Sequence, residues 1–401
     1  MSGFTRRGFL KGLAVGTGAV IGSRLAGGAT GILGEAQAAV NGAAVVVVYL
    51  QGGFNSLFVS ADSFAPAGTF GVNAGNYTLL GNNVAIDNTW NTALGQYAKD
   101  HLAVLGVRHG LSSHEPAIRA NWSYGGNNAA LQLANAIGGD APIKAAVVGS
   151  DLDNEVPSAA VNGTSFQRIN DLKYTIEALG LGLPDPRKPA KAIALPVLTQ
   201  SQAMAKNDLA RSPSSLVSVD LGYKAAIDTL GKTIAPIDLA PIQSAYALGT
   251  TTSVNSFKAK LAAAEVMVRA GSNVVAMFDG GWDTHNDVDG ADVRNKMSSY
   301  ILPPLATFID RMIDPAKNPS QNVSLLILGE FARSLPDSDH QPNLSVAVFG
   351  RNVLRGTTGK VAANVSLPSG TPGIAGMWSY LAAASKVTTN PFGANPHGLV
   401  A

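Results

Sequence analysis

The sequence predicts an α/β fold with a largely parallel, mixed central sheet and helices on both of its faces. Three observations carry this. Six short apolar runs rich in β-branched residues recur along the chain. Strands that read as continuous apolar runs are those buried on both faces, as in parallel sheets. Stretches with helical spacing lie between them, the alternation of a covered parallel sheet. Finally, 46% of the 401 residues are hydrophobic and 14% charged, a composition that builds a large core.

The runs are Ala43 to Leu50, Leu102 to Val107, Ile143 to Gly149, Asn273 to Phe278, Val323 to Gly329 and Leu344 to Gly350. Helical spacing is carried by Phe166, Ile169, Leu172 and Ile176 over Ser165 to Leu179. It recurs over Val254 to Ala270, with Leu261, Val266 and Val268, and over Val293 to Ile313, with Leu302, Leu305, Phe308 and Met312. Between Pro184 and Pro241, Pro, Ser and Asp are scattered with no clear strand. Residues 39–401 therefore read as one α/β domain with a helical insertion around 184–241.

Residues 1–38 read as a twin-arginine signal peptide. Arg6 and Arg7 lie in "TRRGFLK", a mildly apolar Gly-rich segment follows, and Ala36 to Ala38 offer small residues for cleavage. The expectation is passage through the twin-arginine translocase to the periplasm or the medium. No later stretch reaches the about 18 apolar residues of a spanning helix, so no stable membrane insertion of the mature chain is expected. The chain has no cysteine. That suits an oxidising compartment and excludes disulfides and thiolate metal sites. A net charge of +2 gives no electrostatic basis for binding nucleic acid. No Gly-X-Gly-X-X-Gly, phosphate loop or Gly-X-Ser-X-Gly elbow follows a strand, so nucleotide cofactors and a serine-esterase site lack support.

In open parallel sheets functional groups gather beyond the carboxyl ends of strands. The first run is followed by "GGFNS", with Asn55; the second by "RHGLSSHEPA"; the fourth by "DGGWDTHND"; the fifth by "EFARSLPDSDH". Asp283 and His285 are two apart, which puts both on one side of an extended segment. Asp339 and His340 are adjacent. These oxygen and nitrogen donors suit Zn, Mn, Mg or Ca, the histidines favouring Zn or Mn. The competing reading is two solvated polar loops. Ser113 ahead of His114 is most often a helix N-cap. Its chemical alternative is a nucleophile beside a helix N-terminus that holds an anion. Glu330, three residues before Arg333, reads first as a surface ion pair or a first-turn acid. Asn55 either satisfies a glycine turn or orients an oxyanion or metal. His101 and His109 read as structural and His397 as exposed. The acidic loop with Asp283, Asp287 and Asp289 lacks EF-hand spacing.

In order and spacing, "VVVVYLQGGFNSLFV", "SSHEPAIRANW", "GGWDTHND", "LLILGEFARS" and the late "DH" resemble the exported domain-of-unknown-function family numbered 1501. That family is related to the alkaline phosphatase/sulfatase-like superfamily. The resemblance touches most of residues 40–360 through short motifs. It implies one or two divalent metals at strand ends and phosphoryl or sulfuryl transfer through a Ser or Thr. It implies Asp283, His285, Asp339 and His340 as ligands and Ser113 and His114 at the start of the nucleophile helix. Glu330 and Arg333 match a Glu-Phe-Gly-Arg-like motif. Asn55 stands where the family places an Asp ligand, and Gln341 where it places a Gly; both departures point to one metal or none. The implied activity is hydrolysis of a small phosphate or sulfate ester. The alternative is a non-catalytic exported protein that binds an envelope partner.

Overall fold

Eight strands form one sheet because nearly all their side chains are apolar enough to be buried on either face. The structure is a computed structural model and describes residues 42–53, 77–81, 84–139, 141–149, 152–179, 191–209, 223, 227, 236–287, 290–334, 338–358 and 366–401. The expected signal segment, Asn55 and Asp289 lie outside the described residues. The strands are β1 (Gly42–Leu50), β2 (Tyr77–Leu80), β3 (Val84–Asp87), β4 (Leu102–Arg108), β5 (Ser123–Tyr124), β6 (Asn127–Asn128), β7 (Ala145–Val148), β8 (Phe166–Ile169), β9 (Val274–Asp279), β10 (Gln321–Gly329), β11 (Ala332–Arg333), β12 (His340–Gln341), β13 (Asn343–Gly350) and β14 (Gly356–Thr358). The main sheet runs β14-β4-β13-β10-β1-β9-β7-β8. It is mixed and largely parallel: only β13 runs against its neighbours, β10 and β4.

The two faces are covered as the alternation requires. Val46, Val48, Val275, Met277, Leu325 and Ile327 pack under the helix Phe257–Arg269 and residues 291–313. Val45, Val47, Ala276, Phe278, Leu326 and Val346 point the other way, against the helices Ala129–Ile137 and Ile374–Ala384 and the rings of Trp122 and Trp378.

Register decides where the loops emerge. Leu50 pairs with Gly329 on one side and Asp279 on the other, so β1, β9 and β10 end level. The reversed β13 begins where the others finish, with Asn343 opposite Arg108 at the end of β4. Four strand exits and one strand entry therefore share an edge.

Away from the shared edge, sequence and structure differ at Ser165 to Leu179 and at His397. Ser165 to Leu179 is not one helix: Phe166–Ile169 is an edge strand parallel to β7, and the helix is Leu172–Ala178. The i, i+3 spacing of Phe166 and Ile169 suited a helix, but Asp171 starts one only afterwards, its Oδ1 accepting Tyr174 N–H at 2.9 Å. His397 is buried, not exposed. The chain end folds back so that its ring meets Tyr380 and the Thr358 hydroxyl, and burial pushes its pKa down to about 4. In the region expected to be an insertion, the described parts hold the helices Lys191–Leu209 and Leu239–Ala245. Among the described residues no helix is long and apolar enough to cross a membrane.

Behind the sheet, Glu265 is fully buried and joins three segments. Its carboxylate accepts from Arg269 Nε at 2.9 Å, Arg311 Nε at 2.9 Å and Nη2 at 2.7 Å, and the Tyr246 hydroxyl at 3.0 Å. Burial alone would raise its pKa, but the two guanidinium groups hold it below the ordinary carboxylate value. Removing one partner of such a buried cluster strands the rest. Glu265→Ala is expected to cost about 3–5 kcal/mol, read as a lower urea midpoint with an unchanged slope.

Candidate metal centre

The shared edge gathers three histidines, two acids and one arginine. His114 opens the helix His114–Asn121, whose first turn accepts Glu115 and Pro116 without penalty. Ser113 occupies the N-cap position and is exposed, yet its hydroxyl makes no cap hydrogen bond. Glu330 follows β10 directly and is 2% exposed; it is neither a surface ion pair nor a first-turn acid. Its Oε2 accepts from His114 Nδ1 and its Oε1 from Gly52 N–H at 2.8 Å. Asn121 fixes this corner by donating to the carbonyls of Gly329 and Glu330 at 3.1 and 2.9 Å.

Asp283 stands across from His114. Trp282 N–H bonds Gln51 O at 3.0 Å, and its indole N–H reaches Asp279 Oδ2 at 3.0 Å, so the loop after β9 is laid on the loop after β1. Gly52 permits this contact: a Cβ there would sit 2.3 Å from Asp283 N, and its φ is +110°. Gly53 likewise leaves room for Phe331, whose ring lies under His114 and His340 at 5.0 and 4.2 Å.

Arg333 is completely buried and holds the centre together. Its Nε donates to Gly53 O at 2.8 Å, Nη1 to Ser338 O at 2.6 Å and Nη2 to Gly52 O at 2.6 Å. Nη2 also donates to Asp283 Oδ1 and lies 3.2 Å from His340 Nε2. Partial burial would raise the Asp283 pKa; Arg333, His285 and His114 together hold it below the usual carboxylate value. Burial lowers the pKa of His340, the Ser112 carbonyl opposes this, and Arg333 reinforces it.

The partners assign the tautomers. His340 Nδ1 donates to Ser112 O at 2.8 Å, and His114 Nδ1 donates to Glu330. Each ring is thus left with its Nε2 toward Asp283, at 3.7 and 3.8 Å from its carboxylate oxygens. His114, Asp283 and His340 offer one ligand atom each, all within 4.8 Å of one another. Metal-binding histidines ordinarily have their other ring nitrogen tied to a carboxylate or a backbone carbonyl, and both conditions are met here. The donor set fits one divalent ion.

The remaining expected residues fall outside this trio. His285 is half-exposed, its Nε2 3.1 Å from Asp283 Oδ1 and its ring 4.8 Å from that of His340. Asp339 is exposed and not among the trio; its carbonyl accepts from Ser334 N–H at 3.0 Å and its N–H donates to Ser334 Oγ at 3.1 Å. Gln341 pairs with Ala332 in the small β11–β12 ladder. Asp287 is buried and caps residues 292 and 293, accepting both N–H groups at 3.0 Å; that is its place beside His285. His101 and His109 bond backbone carbonyls, of Val353 and Leu111, at 3.0 and 3.1 Å.

No family model and no curated protein matches this chain. Among solved structures, a protein in the alkaline phosphatase superfamily from Vibrio parahaemolyticus is similar at TM-score 0.36 and 10% identity, over 95% of this chain and 79% of its own. Alkaline phosphatase from the Antarctic bacterium TAB5 is similar at TM-score 0.30 and 9% identity, over 88% and 100%. PsFucS1 sulfatase from Pseudoalteromonas sp. is similar at TM-score 0.31 and 10% identity, over 86% and 68%. Likeness at this level assigns no chemistry and no residue; those rest on the geometry.

The approach of the two loops is testable without knowing a substrate. Gly52→Ala puts a Cβ into the Asp283 backbone at a positive φ. It is expected to cost about 1–3 kcal/mol in chemical denaturation and to reduce bound divalent metal in elemental analysis.

Proposed function

We propose that this chain is an exported hydrolase of the alkaline-phosphatase-like type that uses a divalent ion to cleave phosphate or sulfate esters. The observation that supports it most is the pair of imidazoles, each anchored through Nδ1 and aimed through Nε2 at one carboxylate. In this reading His114, Asp283 and His340 hold the ion, with Zn or Mn favoured by two nitrogen donors. When bound, the ion withdraws charge from an ester oxygen and favours attack on phosphorus or sulfur.

The chain's own groups do the rest. Ser113 lies beside His114 with its hydroxyl uncommitted to a cap, and Ser113 Oγ is the attacking atom. In this reading the N–H groups of the first helical turn orient the anion. His285, half-exposed and paired through Nε2 with Asp283, takes the Ser113 hydroxyl proton on its other ring nitrogen as Oγ bonds to phosphorus or sulfur, and gives it to the departing alkoxide as the ester bond breaks. Glu330 and Arg333 touch no substrate in this scheme: they fix His114 and Asp283. The resemblance of the motifs to the family numbered 1501 and the expected twin-arginine leader support the same reading.

A second reading is favoured by one observation: Arg333 already neutralises Asp283, so the cluster is satisfied without an ion. A non-catalytic exported protein with an envelope partner would keep that arrangement.

Elemental analysis of protein purified without chelator separates the two. Near-stoichiometric metal that disappears in His114→Ala/His340→Ala is the expected result; no metal even after incubation with Zn²⁺ and Mn²⁺ overturns the hydrolase reading. In a screen of phosphate and sulfate esters, Ser113→Ala is expected to lose more than about 10³-fold in turnover while retaining its metal. Unchanged turnover would remove Ser113 as the nucleophile.

A further inference from the structure

Far from the metal centre, the Glu265 cluster borders a cavity of about 320 Å³. Gln321, the first residue of β10, lines it. The same strand ends at Gly329, next to Glu330, so cavity and centre lie about 26 Å apart, eight rises of one strand. Glu265 uses only part of its two guanidinium partners. It accepts from Nε of Arg269 and from Nε and Nη2 of Arg311. Among the described residues nothing accepts from the Nη groups of Arg269 or from Nη1 of Arg311. Glu265 is 0% exposed, whereas the two arginine side chains are 35% and 26% exposed and both line the cavity. The spent N–H groups face the buried carboxylate, and the unspent ones are left to the cavity. Two cations on one buried anion leave this side with one net positive charge. Pro236, Pro241 and Ile242 give the cavity an apolar side. Asp238 is the other charged residue lining it. It is exposed, so solvent screens it, and its Oδ1 already accepts from Ala240 N–H at 3.0 Å as the cap of the helix Leu239–Ala245.

We propose that this cavity binds a small free organic acid with an apolar tail, its carboxylate on Arg269 and Arg311 and its tail on Pro236, Pro241 and Ile242. A guanidinium presents parallel N–H groups that match a planar carboxylate. A monoanion neutralises the single positive charge. A phosphate monoester dianion would leave a negative excess above buried Glu265, where solvent screens poorly. Each tail carbon that leaves water for the apolar side adds affinity. Glu265 also holds both forks in place before any ligand arrives, so little side-chain freedom is lost on binding. The site is independent of the metal centre and of the hydrolase reading.

The test is calorimetry at pH 7 on the full chain, freed of metal by dialysis against EDTA so that no ion at the other centre can take the carboxylate. Hexanoate is expected to bind at least about tenfold tighter than hexanol, hexylamine, acetate or hexyl phosphate. The proposal is overturned if hexanoate does not bind, or if any of the other four binds as tightly. N-acetyl-leucine binding about tenfold tighter than hexanoate would reassign the site to a peptide end and overturn the free acid. Ser320 is exposed and lines the cavity without touching the Glu265 cluster. Ser320→Trp is expected to lose at least about tenfold in hexanoate affinity with an unchanged urea midpoint in the absence of ligand; retained affinity overturns the proposal. Asp238→Asn keeps the helix cap and removes the competing anion. It is expected to bind hexanoate about threefold tighter, which a purely structural ion cluster would not produce; unchanged or weaker binding counts against the site. Arg269→Gln is expected to weaken hexanoate at least about tenfold; should it not fold, the Ser320 and Asp238 variants decide.

Discussion

The centre depends on one buried guanidinium. Arg333 gives its N–H groups to the loop after β1, to Ser338 before β12 and to Asp283 after β9. Three chain segments far apart in sequence are held by one planar fork, a geometry that lysine cannot reproduce. A buried charge is tolerated only when paired and hydrogen-bonded. Arg333 meets that condition through Asp283, whose side chain is 49% exposed. The ion pair therefore runs from the core to the surface and orients the half-exposed carboxylate from beneath.

Glu330 repeats the pattern with the opposite sign. Its carboxylate is 2% exposed and is matched by the Gly52 N–H and the His114 ring. Replacing Glu330 and His114 together by well-packed apolar side chains would cost a fold of this kind little. What the pair supplies is orientation: it fixes which nitrogen of His114 faces Asp283. The same loop, Gln51 to Gly53, receives both buried charges, so His114 and Asp283 cannot shift independently.

Much of the fold was legible because a doubly buried strand has a distinctive composition. All six apolar runs are strands of the main sheet. The reversal of β13 was not legible, since "LSVAVFG" reads the same in either direction and only pairing with β4 and β10 sets its sense. The edge strand Phe166–Ile169 was hidden for a related reason: half-exposed, with Gln167 and Arg168 inside it, it lacks the continuous apolar signature. At the centre, Asp283, His285 and His340 were visible as polar residues after strands. Glu330 and Arg333 were misjudged because charged residues are mostly exposed. Their burial follows from tertiary partners that no local pattern encodes. The signal that was present is positional: an acid directly after a doubly buried strand begins its loop inside the protein.

That reversal of β13 has a chemical consequence. A strand leaving the shared edge presents its first residues there, just as a strand arriving presents its last. His340 precedes β13 by three positions and pairs through β12 with Arg333. Were β13 parallel to β10, its start would lie at the opposite end of the sheet, about 25 Å away for eight residues at the usual rise. His340 could then meet neither Ser112 nor Arg333, and the second imidazole of the donor trio would be lost. A topological feature with no local sequence signature thus decides whether one imidazole or two are brought to Asp283.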